Sequence, residues 1–85
     1  YYMSKKKKEI SSTFDYSKMI NFFKNKYSSE NINLSDGLKI DFSDSWVQLR
    51  KSNTEPIIRI YSEAKSQEKA NKIAYKFINE IRTIV

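Results

Sequence analysis

Residues 50–56, Arg-Lys-Ser-Asn-Thr-Glu-Pro, combine side chains that bind anions with residues that form turns. Arg50 offers a planar guanidinium whose paired N–H donors match two oxygens of one phosphate. The hydroxyls of Ser52 and Thr54 and the amide of Asn53 are further short-range donors. A tight loop also turns consecutive backbone N–H groups toward one point, where an anion can be held. The segment is therefore a candidate anion-binding loop, and the alternative is an ordinary hairpin connection with solvated side chains.

Two further side chains near the loop are candidates to support a bound anion. Arg59 lies on the predicted strand that follows, on the face opposite Ile58 and Ile60. It either reaches the anion or pairs with a neighbouring glutamate across the sheet. Glu55, which the proline after it holds extended, either orients Arg50 or is a solvated turn carboxylate.

The first half of the chain is predicted to contain a strand, a helix and a loop. Residues 5–12 have the pattern of a strand, with lysines that would protect an exposed sheet edge. Asp15 can cap a helix, because apolar residues recur after it at helical spacing. These residues are Tyr16, Met19, Ile20, Phe23 and Tyr27. Residues 28–36 are polar without a helical period, so they predict a loop that ends in the turn dipeptide Asp36-Gly37.

The second half predicts three more strands and a second helix. Residues 38–42 alternate between apolar and polar, and with residues 46–49 they predict a hairpin with one buried face. Residues 57–61 predict the next strand, and Pro56 fits its start, where a missing N–H costs little. Ser66 can cap a helix with a broad apolar stripe. The stripe consists of Ala70, Ile73, Ala74, Phe77, Ile78 and Ile81. The order βαβββα predicts an α+β fold, a four-stranded antiparallel sheet with two helices on one face.

Length and composition predict one small domain over residues 1–85. With 39% hydrophobic residues the chain can bury a core, but it is near the size at which good packing or a neighbouring domain is needed. The lack of cysteine and histidine excludes disulfides, thiol nucleophiles and imidazole acid–base chemistry. No apolar run approaches the roughly 20 residues that span a bilayer, and no apolar signal segment follows the N-terminal lysines. We therefore expect a cytoplasmic protein.

The net charge of +6 predicts an anionic ligand or an acidic neighbour. Residues 5–8, four consecutive lysines, are the densest positive charge and are typical of segments that bind nucleic acid or acidic lipid. On a strand these side chains alternate between two faces, which halves any single patch. We therefore expect neither nucleic acid nor membrane as a partner. A stand-alone basic module for nucleic acid, or a purely structural docking domain, is the alternative to an anion-binding loop.

Residues 50–56, followed by Ile-Ile-Arg-Ile-Tyr and then Glu63-Ala64, closely resemble the signature of one protein family. It is the signature of the C-terminal domain of the α-D-phosphohexomutases, the phosphoglucomutase/phosphomannomutase family. Residues 36–40, Asp-Gly-Leu-Lys-Ile, are similar to a strand opening of the same domain. The positions that match the family's phosphate-binding loop are Arg50, Ser52, Asn53 and Thr54. Lys51 stands at the variable position, so only its backbone is a candidate.

The resemblance implies a multidomain enzyme that moves a phosphoryl group between the 1- and 6-positions of a hexose. It implies that this last domain, similar to half of a TATA-binding protein, binds the phosphate that is not reacting. The phosphoserine, the magnesium site and the sugar-hydroxyl contacts are implied for other domains. We therefore expect no catalytic residue, metal or cofactor in this chain, and no activity from it alone. The expected partners are a hexose phosphate, whose sugar is not predicted, and the remaining domains of the same enzyme.

Overall fold

The computed structural model describes residues 1–84, which form an antiparallel sheet and two helices. The strands are β1 (Tyr2–Glu9), β2 (Asn31–Asn33), β3 (Leu38–Asp41), β4 (Trp46–Lys51) and β5 (Ile57–Ala64). The helices are α1 (Tyr16–Lys26), between β1 and β2, and α2 (Gln67–Arg82), after β5. The predicted α+β class is confirmed, but the order of elements is βαββββα.

The five strands of the described chain form one sheet in the order β1-β5-β4-β3-β2, and every neighbouring pair is antiparallel. The prediction of four strands was therefore wrong. Residues 28–36, predicted as a loop, contain β2, whose Ile32 pairs with Ile40 of β3 at the sheet edge. A three-residue strand is too short to show alternation in the sequence, so pairing with β3 and not a local pattern forms it.

The first strand also differs from its predicted position at residues 5–12. It runs over Tyr2–Glu9, and its eight residues pair one to one with those of β5. Just after β1 ends, the N–H of Ile10 donates to the carbonyl of Pro56 at 2.9 Å, and the chain then turns toward α1. The extent of β1 follows from β5, because the ladder continues only where both strands are extended.

Both helices cover the same face of the sheet. Alternate side chains of β3, β4 and β5 are fully buried there, together with the inward residues of both helices. This core includes Met19, Phe23, Leu38, Ile40, Val47, Leu49, Ile58, Ile60, Phe77 and Ile81. The ring centroids of Phe23 in α1 and Phe77 in α2 are 5.2 Å apart, so the helices also pack on each other. We call the opposite side of the sheet, which no described helix covers, the open face.

The predicted helix starts are confirmed by their capping hydrogen bonds. Asp15 Oδ1 accepts from the N–H of Lys18 at 3.0 Å, and Ser66 Oγ accepts from the N–H of Lys69 at 3.1 Å. Each bond satisfies an N–H that the first helical turn cannot pair. Within residues 1–84 neither helix has the length and apolar character needed to cross a membrane.

Tyr27 connects the end of α1 to α2. Its hydroxyl donates to the carboxylate of Glu80, 3.1 Å from each oxygen, and Lys26 Nζ lies 2.7 Å from Glu80 Oε1. Burial is the main cause that raises the pKa of Tyr27 above its usual value near 10, and the charge and hydrogen bond of Glu80 raise it further.

Tyr27→Phe should reduce the loss of stability at alkaline pH. The folded-state pKa of Tyr27 lies above the unfolded value, so the unfolded chain loses this proton first and the free energy of unfolding falls above about pH 10. Urea unfolding between about pH 8.5 and 11 should show a steeper fall for the wild type than for Tyr27→Phe. Tyr75→Phe, at a tyrosine of α2 that is 54% exposed, is the matched control. Equal slopes in all three proteins would contradict this account.

Candidate anion-binding site

The candidate loop connects β4 to β5. The structure extends β4 through Arg50-Lys51, so the loop proper is residues 52–56. Backbone hydrogen bonds close it: the N–H of Ser52 donates to the carbonyl of Ile57 at 3.2 Å, and the N–H of Ile57 donates to the carbonyl of Glu55 at 2.8 Å. The pairing of the two strands therefore determines where the loop begins and ends.

Ser52 organises the loop through its side chain. Its Oγ lies 3.3 Å from the backbone nitrogens of Thr54 and Glu55, whose N–H groups donate to it. The hydroxyl oxygens of Ser52 and Thr54 are 3.4 Å apart. Both N–H groups are thus engaged inside the loop, where they hold the turn around the Ser52 hydroxyl. The fold thus brings together the two predicted hydroxyl side chains.

The other predicted loop residues lie around this turn. Asn53 is exposed. Glu55 is exposed as well, and within residues 1–84 it forms no ion pair, with Arg50 or with any other residue. The ammonium of Lys51 lies 5.9 Å from the ring centroid of Tyr16, a residue of α1. The side chain of Lys51 is therefore on the helix side of the sheet, and only its backbone lies beside the loop.

Arg50 is oriented by Asp36, a contact that sequence reasoning did not find. Arg50 Nε lies 3.3 Å from Asp36 Oδ1, and this is the only ion pair of Arg50 among the described residues. The terminal nitrogens of a guanidinium, with or without Nε, supply the paired donors that bind phosphate. Because Asp36 engages Nε, the two terminal nitrogens are the donors that remain for a ligand.

The turn that carries Asp36 lies directly against the end of β4. Gly37 has a φ of 70°, in the left-handed region. A Cβ at Gly37 would lie 2.4 Å from the carbonyl oxygen of Leu49 and 3.1 Å from Cγ of Arg50. Gln48 holds the same turn, since its side-chain amide donates to the carbonyl of Asp36 at 2.8 Å. The Asp-Gly dipeptide predicted this turn, but its position beside Arg50 follows from the hairpin register.

Arg59 is the neighbour of Arg50 on the open face, because the two are Cα partners across β4 and β5. Among residues 1–84 Arg59 forms no ion pair, so the alternative of pairing with a glutamate is not observed. The nearby Glu63 instead accepts a hydrogen bond from Trp46 Nε1 at 3.0 Å. Two arginines therefore stand side by side next to the loop.

No group of three or more acidic side chains in the described part of the chain is close enough to hold a metal ion. The resemblance implies the magnesium site for other domains. The chemistry available at this site is hydrogen bonding and charge attraction toward an anion.

Comparison with known proteins gives consistent matches. The sequence model of the family described as "Phosphoglucomutase/phosphomannomutase, C-terminal domain" matches residues 5–80. The phosphoglucomutase/phosphomannomutase of Thermococcus kodakarensis is 63% identical over 41 residues, which are 48% of this chain and 9% of that protein. A probable phosphoglucosamine mutase of Thermococcus gammatolerans is 38% identical over 69 residues, 81% of this chain and 12% of that protein. The phosphoglucosamine/phosphogalactosamine mutase of Sulfurisphaera tokodaii is 50% identical over 50 residues, 59% of this chain and 10% of that protein.

The structure is that of an α+β domain in which Arg50 and the polar residues 52–54 lie at one hairpin. The chain belongs to the phosphoglucomutase/phosphomannomutase family, by its match to the C-terminal domain of that family over residues 5–80. The resemblance seen in the sequence is thereby confirmed. The chain spans about a tenth of the length of these relatives, between 9% and 12%.

Proposed function

We propose that this chain is the C-terminal domain of a phosphohexomutase, which interconverts hexose 1-phosphate and hexose 6-phosphate. In this proposal residues 50–54 bind the phosphate of the sugar that is not reacting. The names of the relatives, phosphoglucomutase/phosphomannomutase and phosphoglucosamine mutase, support this substrate class. The family resemblance assigns the nucleophile and the magnesium site to other domains, which would be the partners of this one. The same comparisons do not support a stand-alone nucleic-acid module.

The observation that carries the proposal is the contact of Arg50 with Asp36 beside the turn at Ser52. Asp36 engages one nitrogen of the guanidinium and leaves the terminal pair for a ligand. Within the same hairpin the hydroxyls of Ser52 and Thr54 lie 3.4 Å apart, and the side chain of Asn53 is exposed. A phosphate needs both a charged fork and neutral donors to satisfy its oxygens, and this hairpin supplies both.

The expected affinity is weak, and weak binding suits the proposed role. A hydrogen bond to a charged group contributes about 1.5 to 3 kcal/mol, and association costs offset much of the sum. The isolated loop should therefore bind a phosphate monoester with a Kd on the order of millimolar. Phosphoryl transfer depends mainly on positioning and charge stabilisation, and the resemblance implies that the sugar is released and rebound between two half-reactions.

Glucose 6-phosphate added to the 85-residue chain should shift the backbone amide NMR signals of residues 51–54 more than those of the other residues. These are the N–H groups that the proposal places next to the phosphate. The signal of Lys72 on α2 is the reference and should stay unchanged, because α2 lies on the face of the sheet opposite Arg50. Glucose without phosphate should cause no shift, and equal shifts from both sugars would contradict the proposal.

The same titration should give a lower Kd at pH 7 than at pH 5. The second ionisation of a phosphate monoester has a pKa near 6, and the dianion is attracted more strongly than the monoanion by Arg50. The chain contains no histidine, the side chain whose ordinary pKa lies in this range, so the change would report the ligand. A Kd that does not depend on pH would show that the charge of the phosphate is not recognised.

A further inference from the structure

A row of three basic residues crosses the open face next to the candidate loop. Arg50 of β4 is the Cα partner of Arg59 on β5, and Arg59 is the partner of Lys7 on β1. Neighbouring strands are about 4.8 Å apart, so the row spans roughly 10 Å. Like charges directly opposite each other destabilise a sheet. The row therefore lowers the stability of the fold, so folding alone does not explain it.

A shallow depression lies beside this row. Its volume is about 430 Å³, and it is lined by Lys5, Lys6, Lys7, Arg59 and Tyr61. Within residues 1–84 none of Lys5, Lys7 and Arg59 has an ion-pair partner. By strand alternation Glu9 and Glu63 flank the same surface, yet neither forms an ion pair with these cations. The depression therefore carries positive charge that carboxylates of the described chain do not neutralise.

The strand divides the four consecutive lysines between the two faces of the sheet. Lys6 and Lys8 of β1 pair with Ile60 and Ile58 of β5. Both isoleucines are fully buried under the helices, so Lys6 and Lys8 belong to the helix side of the sheet. The ammonium of Lys6 lies 5.2 Å from the ring centroid of Tyr75 on α2. Only Lys5 and Lys7 belong to the open face. The alternation expected from the sequence thus leaves two lysines on the same surface as the arginine of the loop.

We propose that Lys7, with Arg59, attracts the same phosphate that the Arg50 loop binds, so that the basic row is one anion-binding strip with Lys5 at its rim. This inference rests on the proposed function and extends it to residues of β1, outside the loop of residues 50–54. The side chains of lysine and arginine are longer than one spacing between strands, so Lys7 and Arg59 can approach a phosphate at Arg50 from the far side. The occupant is the dianionic phosphate of a hexose, for which the loop supplies hydrogen bonds and the strip supplies further charge.

Lys7→Gln and Lys8→Gln form a matched pair that tests this inference. Both variants remove one positive charge from the same strand, but from opposite faces of the sheet. In NMR titrations of the 85-residue chain with glucose 6-phosphate at low salt, Lys7→Gln should raise the Kd about 3- to 10-fold, and Lys8→Gln by less than about 1.5-fold. The effect of Lys7→Gln should shrink near 0.3 M NaCl, because salt screens exposed charges.

Two further readouts separate attraction of the ligand from a structural role. Lys7→Gln removes a like charge opposite Arg59, so its free energy of unfolding should equal or exceed that of the wild type while its affinity falls. Lys7→Arg keeps the charge and should restore wild-type affinity. A less stable Lys7→Gln protein whose affinity Lys7→Arg does not restore would assign Lys7 a structural role and overturn the inference.

The outcomes distinguish this inference from the function on which it rests. If Lys7→Gln and Lys8→Gln change the Kd equally while Arg50→Ala abolishes binding, the loop function stands and the strip is rejected. If the wild-type signals of residues 51–54 do not respond to glucose 6-phosphate, the proposed function itself fails. If a single-stranded oligonucleotide binds with a dependence on Lys7 and leaves the loop signals unchanged, the strip serves a different ligand and the inference is overturned.

Discussion

Replacing Arg50 with alanine in a mutase that contains this domain should lower kcat/KM by about 30- to 1,000-fold, equivalent to about 2 to 4 kcal/mol. The substitution removes the charged fork of the proposed site and leaves Asp36 without its ion-pair partner. KM should rise because the loop binds the sugar phosphate in the ground state. kcat should fall as well, because a phosphate held less firmly places the reacting end of the sugar less accurately. Steady-state kinetics with glucose 1-phosphate measure both.

Two variants separate the charge of Arg50 from its shape. Arg50→Lys keeps the charge but loses the planar fork, so it should recover only part of the lost kcat/KM. Arg82→Ala removes an arginine from the last turn of α2, on the helix side of the sheet and not on the open face, and should keep wild-type kinetics. If Arg50→Ala itself behaved as the wild type, the assignment of the phosphate loop would be wrong.

Gly37→Ala should destabilise the domain by about 2 to 5 kcal/mol and also weaken phosphate binding. An alanine in the left-handed region costs roughly 1 to 2 kcal/mol, and overpacking adds about 1 to 3 kcal/mol. The new methyl group would lie 2.4 Å from the carbonyl oxygen of Leu49, a backbone atom of β4 that cannot move without disturbing the sheet. Relief of this contact must displace the Asp36-Gly37 turn and with it the partner of Arg50. Urea unfolding measures the first effect, and the glucose 6-phosphate titration measures the second.

Asp36→Asn is the matched control for Gly37→Ala, one residue away in the same turn. It leaves the backbone unchanged and removes only an exposed ion pair, which should cost less than about 1 kcal/mol of stability. Equal stability of the two variants would show that the turn does not pack against β4 as the structure indicates.

The parts of the fold that the sequence predicted are those governed by local patterns. The stripe of α2 and the caps at Asp15 and Ser66 depend on residues within one or two helical turns of each other, so spacing alone reveals them. The two wrong predictions, the missing strand β2 and the position of β1, concern strands whose pairing partners are distant in the chain. β2 forms because its backbone pairs with that of β3. The length of β1 is set by its residue-by-residue pairing with β5. Such pairing leaves little trace in a short segment.

The candidate site divides in the same way. The types and order of residues 50–54 predicted an anion-binding loop and the family, and comparison with known proteins confirmed the family. Strand alternation also predicted that the N-terminal lysines would be divided between two faces. Which cations and carboxylates meet depends on register, since a slip of one residue would move every side chain to the other face. Only the tertiary structure could therefore show that Asp36 forms an ion pair with Arg50. It alone also shows that Arg50, Arg59 and Lys7 form one row across three strands.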